Sequence, residues 1–333
     1  MRTSFHGHAR EFAGLPVFGL TQNWSDDPPV LVPEAELPAD PGAVAWRIEA
    51  WEEDDNWDYG PSPAFETAFE RFLDLVDPAD VRALVIGQWG YSAMNAAPID
   101  QLCAAASRLT GLRALFLGDV PAEECELSWI CQGDVTPLLA AYPNLERLRI
   151  RSGDANVEHG TGLALSPIRH TALRELVVES AGLSTGVVRA VGECDLPALE
   201  HLELWLGTDR WGGDASVEDL AAVLGGGRLP GLVSLGLRNA EIADQVAGAL
   251  AGAPVVARLR RLDLSLGILG DEGAAALLAG QPLTHLDRLD LRHHYIGREL
   301  AARLVAELPG VEVDLAEAEL PDAYGDRYVA VDE

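Results

Sequence analysis

Basic residues are scarce. Lysine and arginine together number 24 against 53 aspartates and glutamates, a formal charge of −29 over 333 residues. So negative a field repels phosphate backbones, which argues against nucleic acid as a partner. It suits another protein or peptide of basic character, and it also keeps the chain in solution. Cysteine is sparse too. Cys103, Cys125, Cys131 and Cys194 form no CxxC pair, so neither a zinc ribbon nor a redox motif is written here. Cys103 follows Ile99 by four residues on an apolar helical face and reads as a structural cysteine. No apolar run approaches roughly 18 residues, so no membrane span is expected. The N-terminus, MRTSFHGHAREFAGL, lacks the apolar stretch of a signal peptide. A reducing cytoplasm is the expected location.

Catalytic signatures are missing as well. There is no GxxxxGK[ST], no GxGxxG opening a helix and no GxSxG. No Cys–His or Ser–His–Asp set is supported by spacing. The expectation is therefore a non-catalytic chain with no cofactor, no metal and no catalytic residue. The carboxylates Glu52, Glu53, Asp54 and Asp55 read as a solvated acidic loop, since their spacing is not that of a calcium loop. His293 and His294 are adjacent, so on a strand they point to opposite faces and read as structural. His6 and His8 share a face but sit in a terminus expected to be mobile. Gly160-Thr161-Gly162 is only a superficial fragment of a phosphate loop.

What is present in abundance is leucine at fixed intervals. Leu, two residues, Leu, one residue, then an aliphatic residue recurs as LRALFL from Leu112, LERLRI from Leu145 and LRELVV from Leu173. It returns as LEHLEL from Leu199, LVSLGL from Leu232, LRRLDL from Leu259 and LDRLDL from Leu286. The intervals are 33, 28, 26, 33, 27 and 27 residues. That is the signature of a leucine-rich-repeat array. Val81, Leu84 and Ile86 fit the same template upstream. Trp46 and Ile48 suggest a degenerate first strand, and Leu308, Val311 and Val313 a last one.

Helical patterns lie between the strands. Ser62 and Pro63 offer an N-cap and first turn for a helix carrying Phe65, Phe69, Phe72, Leu73 and Val76, stopped by Pro78. Ser216 to Asp219 reads as a capping box, Ile242, Val246 and Leu250 mark one buried helix face, and Gly225-Gly226-Gly227 closes another helix. Strand and helix alternating at this spacing predict an α/β leucine-rich-repeat solenoid, a right-handed βα superhelix. Its curved parallel sheet would form the concave side and its helices the convex side. The expected organisation is an N-terminal capping region over 1–80, the solenoid over 81–315 and an acidic tail over 316–333. Tyr328, Val329 and Val331 in that tail would add an edge strand or stay mobile. Segments 51–60, 121–134 and 205–214 lengthen the period, and insertions in solenoids often lie on a binding face.

The stretch LSLGILGDEGAAALLAG from Leu264 resembles the ribonuclease-inhibitor type of leucine-rich repeat. That likeness covers roughly residues 81–315. ALVIGQWG, ALFLGD, CELSWI, LRELVVES, ALEHLELWLGT, GAPVVARLRRLDLSLG, GQPLTHLDRLDL and DRYVAV resemble an actinobacterial family of leucine-rich-repeat proteins, from about Glu11 onward. The resemblance implies no assigned activity. Members of that family are encoded beside radical-SAM and ATP-grasp proteins, which implies a role beside a modification pathway. One position departs from the common repeat. The ninth residue is usually Asn or Cys, but here it is Val120, Gly153, Ala181, Gly207, Ala240, Gly267 and His294. The turns must satisfy their backbone groups in another way.

Alternation along the strands places positions 3, 5 and 7 of the template on the concave face. Those positions carry opposed charges around one aromatic residue: Arg149, Arg151, Glu179, Glu203, Trp205, Arg238, Asp263, Asp290 and Arg292. Trp and Arg are frequent interface hot spots. Trp211, on the loop after Trp205, either packs on the edge or grips a partner. The expected function is a protein-binding scaffold using this face and its flanking loops. An inhibitor of a basic enzyme, like ribonuclease inhibitor, and an accessory subunit of a radical-SAM-linked peptide-modification pathway are the alternatives.

Overall fold

Two compact units divide the chain: Met1–Leu165 with His170–Leu173, and Ser166–Arg169 with Arg174–Glu333. The computed structural model describes residues 7–23, 30–51, 60–153 and 162–332. This division does not coincide with the boundaries expected at 80 and 315. The acidic loop at Glu52–Asp55, His6 and Gly160-Thr161 lie outside the described residues.

The first unit is built on strands β1 (Glu11–Phe12), β2 (Leu15–Gly19), β5 (Ala45–Ala50), β6 (Ala83–Trp89), β7 (Ala114–Leu117) and β8 (Arg147–Ser152). They lie side by side in that order, with β1 antiparallel to β2 and the others parallel. A small antiparallel pair, β3 (Thr21–Asn23) and β4 (Val30–Leu31), stands apart from this sheet. Helices α1 (Pro63–Leu75), α2 (Ile99–Ala104) and α3 (Thr136–Ala141) connect the strands. Register follows the leucine template, Leu84 opposite Leu115 and Leu115 opposite Leu148.

Helix α1 forms where the capping and periodicity place it. Ser62 Oγ accepts the Phe65 amide at 3.2 Å, Pro63 occupies the first turn, and Phe65, Phe69, Phe72 and Leu73 are buried. Its apolar stripe packs on the sheet, with the Phe72 ring centroid 5.6 Å from that of Trp46 on β5. Periodicity did not reveal β1 and β2. They are two and five residues long around an Ala13-Gly14 turn, too short to display a period.

The second unit has six parallel strands in sequence order: β9 (Glu175–Ser180), β10 (His201–Gly207), β11 (Ser234–Ala240), β12 (Arg261–Asp263), β13 (Arg288–Asp290) and β14 (Glu312–Asp314). Helices α4 (Thr185–Glu193), α5 (Ala221–Gly225), α6 (Ala243–Leu250), α7 (Asp271–Ala279) and α8 (Arg298–Glu307) alternate with them. Leu176, Leu202, Leu235, Leu262 and Leu289 stand in one register row and are buried. One hydrogen-bonding device returns at successive steps from β10 to β13. The carbonyl of Glu200 accepts both Val233 and Ser234 amides, that of Val233 accepts Arg260 and Arg261, and that of Arg260 accepts Asp287 and Arg288. The same double acceptor occurs in the first unit at Arg82 and Arg113.

Carboxylates accept main-chain amides at several helix starts. Asp244 Oδ1 accepts the amides of Gly270 and Gly273 at 2.8 and 3.0 Å, capping α7. Asp271 Oδ1 accepts Gly297 at 2.7 Å ahead of α8, and Asp214 Oδ1 accepts Thr185 at 2.6 Å in α4. His294, the one polar ninth residue, bridges its own Ile296 amide and the Leu315 carbonyl. At Ser216 the expected box is altered: Asp219 Oδ2 takes both the Ser216 amide and its hydroxyl, so the serine donates to the carboxylate.

Candidate functional site

The polar face of the second unit carries the densest set of template-predicted residues. Strand register puts Glu203 beside Gly236, Gly236 beside Asp263, Asp263 beside Asp290 and Asp290 beside Asp314. Four acids therefore share one row, broken once by glycine. Three guanidinium groups answer them; the chain contains no lysine, so every cationic side chain other than histidine is an arginine. Arg238 Nη1 donates to Glu203 Oε1 at 2.6 Å, while its Nε donates to Ser265 Oγ at 2.9 Å and lies 3.4 Å from Asp263. Arg292 Nε donates to both oxygens of Asp290 at 2.9 and 3.1 Å. Arg288 reaches Asp290 at 3.0 Å, Asp314 at 2.7 Å and also Glu312.

The acids in the row are unequally compensated. Burial alone would raise Glu203, but the Arg238 charge, with hydrogen bonds from His201 and Trp205, holds it far below the usual carboxylate range. Burial also acts against Asp290, yet hydrogen bonds from Arg292 and Arg288 outweigh it and keep that carboxyl low. Asp263 goes the other way. Burial pushes it up and Arg238 pulls it down, but the neighbouring charges of Asp290 and Glu203 leave it raised. Its side chain is 26% exposed, as is that of Asp314. Asp263 and Asp314 are thus the members of the row that keep a part of their side chains open to solvent.

Template position places Trp205 as an exposed anchor, and the structure corrects this. Trp205 is 2% exposed. Its indole N–H donates to Glu203 Oε1 at 2.7 Å, and the Arg238 guanidinium covers its ring at 5.1 Å. Three neighbours on one face desolvate one another, so Trp205, Glu203 and Arg238 form a packed cluster rather than a contact surface. Glu179 is fully buried as well. Trp211 sits in a short turn over Asp209–Trp211 with Arg210 over its ring at 4.8 Å. It packs on the edge: a Cβ at Gly182 would lie 2.2 Å from the Trp211 carbonyl oxygen, so only glycine admits that approach.

On the first unit's polar face Arg149 lies 4.6 Å from the Phe116 ring centroid. Arg151 is 1% exposed and donates to the Val120 carbonyl at 2.9 Å, so it braces the 121–134 insertion from beneath. The N-terminal segment lies on this face. Phe12 packs among Ala45, Ala83, Val85, Ala114 and Phe116. His8, far from being mobile, contacts Glu124 at 2.8 Å and the Asp119 carbonyl at 3.0 Å. Asp119 also takes the Ala9 amide at 3.0 Å and pairs with Arg47. Burial pulls the His8 imidazole down, but the two carboxylates drive it to about 10. Burial raises Asp119, but His8 and Arg47 hold it at about 2. Glu49, 6% exposed, is lifted to about 7 by burial, with Glu124 and Asp119 opposing the pull of Arg47 and His8. Spacing could not reveal this cluster, because Asp119 stands 111 residues from His8.

His293 and His294 are bound to main-chain groups, in keeping with their structural reading. Among the described residues no group of three or more His, Cys, Asp or Glu side chains is placed to hold a metal ion, and no helix is long and apolar enough to cross a membrane.

The chain is similar to the crystal structure of a Bacteroides fragilis protein solved as a target of the Northeast Structural Genomics Consortium. The two share 25% identity with a TM-score of 0.72, over 92% of this chain and 82% of that one. No family model and no curated protein matches. The likeness speaks for a shared mixed α/β fold with a mostly parallel sheet; function must be argued from the site.

Proposed function

We propose that this chain is a non-catalytic leucine-rich-repeat scaffold that binds a basic protein segment along the acid row of the second unit. The leucine register and the recurring double-acceptor carbonyls support the solenoid reading, in which this row lies on the concave side. The observation that carries the binding reading is the register row itself, in which Asp263, Asp290 and Asp314 stand side by side and the Asp263 and Asp314 side chains each remain 26% exposed. A lysine or arginine from a partner pairs with Asp263 and Asp314. Rigid strands hold the carboxylates in place beforehand, so little side-chain freedom is lost on binding. An enzyme with a basic active-site rim is one such partner, and its activity would then fall on titration with this chain.

The test is fluorescence anisotropy with a short labelled arginine-rich peptide. The double variant Asp263→Asn with Asp314→Asn is compared with Glu272→Gln with Glu299→Gln, which removes the same charge from exposed positions on α7 and α8. The row variant is expected to bind about tenfold more weakly, with a flatter salt dependence. Equal affinities for the two variants would mean that the peptide senses only the overall charge, and the row would lose its role.

A further inference from the structure

Four non-glycine residues of the second unit have left-handed backbones, Glu317 (φ 59°) among them, and three of the four are spaced 27 residues apart: Asn239 (φ 50°), Leu266 (φ 69°) and His293 (φ 55°). Asn239 is the penultimate residue of β11, and Leu266 and His293 lie three residues past the ends of β12 and β13. Side chains such as leucine seldom adopt that conformation, and strain of this kind gathers where a ligand is held. All three direct a hydrogen-bonding group at one segment, the chain's own residues 327–332.

The segment arrives after a tight reversal. Asp322 Oδ1 accepts the amides of Tyr324 and Asp326, leaving Leu320 and Tyr324 projecting into solvent, 86% and 90% exposed. From there the backbone is read residue by residue. The Tyr328 carbonyl is met by His293 Nε2 at 2.9 Å and by the Tyr295 hydroxyl at 3.0 Å, and the Tyr328 amide donates to the same hydroxyl at 2.9 Å. Ala330 donates to the Leu266 carbonyl at 2.8 Å. The Asn239 amide takes Val331 from both sides: Nδ2 donates to its carbonyl at 2.7 Å and Oδ1 accepts its N–H at 3.0 Å.

Side chains add selection at two points. Val329 is buried. The Arg327 guanidinium lies 3.5 Å from Asp244, donates to the Ile268 carbonyl and stacks on the Tyr295 ring at 5.5 Å. Gly270 makes room for it, since a Cβ there would stand 2.2 Å from Arg327 Nη1. Main-chain recognition combined with alternate side-chain pockets is how proteins bind extended peptides.

We propose that the edge formed by Asn239, Leu266, His293 and Tyr295 is a peptide-reading groove, and that a partner segment with an arginine followed two residues on by an aliphatic side chain displaces the chain's own 327–332 from it. The resident segment is a self-ligand, tethered at an effective concentration of order millimolar. Asn239, Leu266 and His293 directly follow Arg238, Ser265 and Arg292 of the acid row, but the hydrogen bonds to 327–332 named above use none of the row's side chains.

The experiment uses a labelled peptide of residues 325–333, GDRYVAVDE, titrated into the full-length protein and into a full-length Val329→Asp variant whose own segment is ejected. The peptide is expected to saturate the variant and to bind wild type at least about tenfold more weakly, because wild type competes with itself. Asn239→Gly in the variant background keeps the left-handed backbone, removes the amide and is expected to cost about tenfold. A scrambled peptide is expected not to bind. Absence of saturable binding to a folded Val329→Asp protein, or equal binding to wild type and variant, overturns the groove. Should Val329→Asp fail to fold, a protease site built into the 322–326 turn of the otherwise unchanged chain allows nicking after folding. Reversible release and rebinding of the cut segment supports the proposal; loss without rebinding overturns it.

Discussion

Arg47 Nε donates to Asp119 Oδ2 at 3.0 Å, joining β5 to the loop after β7 across 72 residues of sequence. The same carboxylate holds the Ala9 amide, and a second guanidinium nitrogen of Arg47 holds the Ala9 carbonyl at 2.7 Å. One ion pair therefore fastens the N-terminal segment to the sheet. Asp119→Ala leaves Arg47 buried without its partner, a kind of loss that costs about 3–5 kcal/mol. Denaturant unfolding is expected to show a drop of that order, with faster hydrogen exchange at Ala9. A variant as stable as the parent, with Ala9 still protected, would show the pair to be incidental.

Stability of the first unit should fall as pH rises from the acid side. Glu49 is lifted in the folded state to about 7 from 4.5, so the folded chain holds its proton more tightly. Its contribution is complete below 4.5 and is lost as pH climbs through 7. A shift of that size corresponds to about 3 kcal/mol. His8 follows the same sign at higher pH, complete below 6.5 and lost through about 10. Asp119 has the opposite sign, complete above 3.8 and lost as pH falls through about 2. Melting temperatures between pH 4.5 and 7 should decline for wild type and stay nearly level for Glu49→Gln. Parallel slopes would remove Glu49 from the account.

Glu203 and Arg238 form the corresponding test in the second unit. Each is largely buried, and Arg238 is 9% exposed at its side chain. Glu203→Gln and Arg238→Met should each destabilise by about 3–5 kcal/mol, because each strands the opposite charge. The double variant strands neither. It should recover about 1–3 kcal/mol of the summed loss in a double-mutant cycle. Simple additivity would mean that the two groups are solvated independently.

The leucine rows were legible because a side chain facing the helices must be apolar, and because a strand shows which residues share that face. Leu235, Leu262 and Leu289 stand opposite one another as the template requires. The polar face was legible only as a set of positions. Whether Trp205 is exposed depends on Arg238 lying over it from the next strand, and no period encodes that. The N-terminal segment escaped detection for a different reason, and at 327–332 the sequence suggested an edge strand or a mobile tail where the structure has a docked segment without strand pairing. Both are short, aperiodic and held by partners far away in the chain, His8 by Asp119 and Val331 by Asn239, 92 residues earlier.

Asp244 and Asp271 stand 27 residues apart and do the same work at successive helix starts, but only Asp244 has a second duty. Its Oδ1 caps α7 while its Oδ2 faces Arg327. Asp271 caps the start of α8 through Gly297. Replacing either by alanine removes an N-terminal cap and should cost about 1 kcal/mol. The two variants should differ in hydrogen exchange. Asp244→Ala also frees Arg327, so the amides of Ala330 and Val331 should exchange faster than in wild type. In Asp271→Ala they should exchange at the wild-type rate, since no contact of 327–332 passes through that residue. Equal protection in both variants would show that the segment is held by its main-chain bonds alone, and that the arginine contributes nothing to its docking.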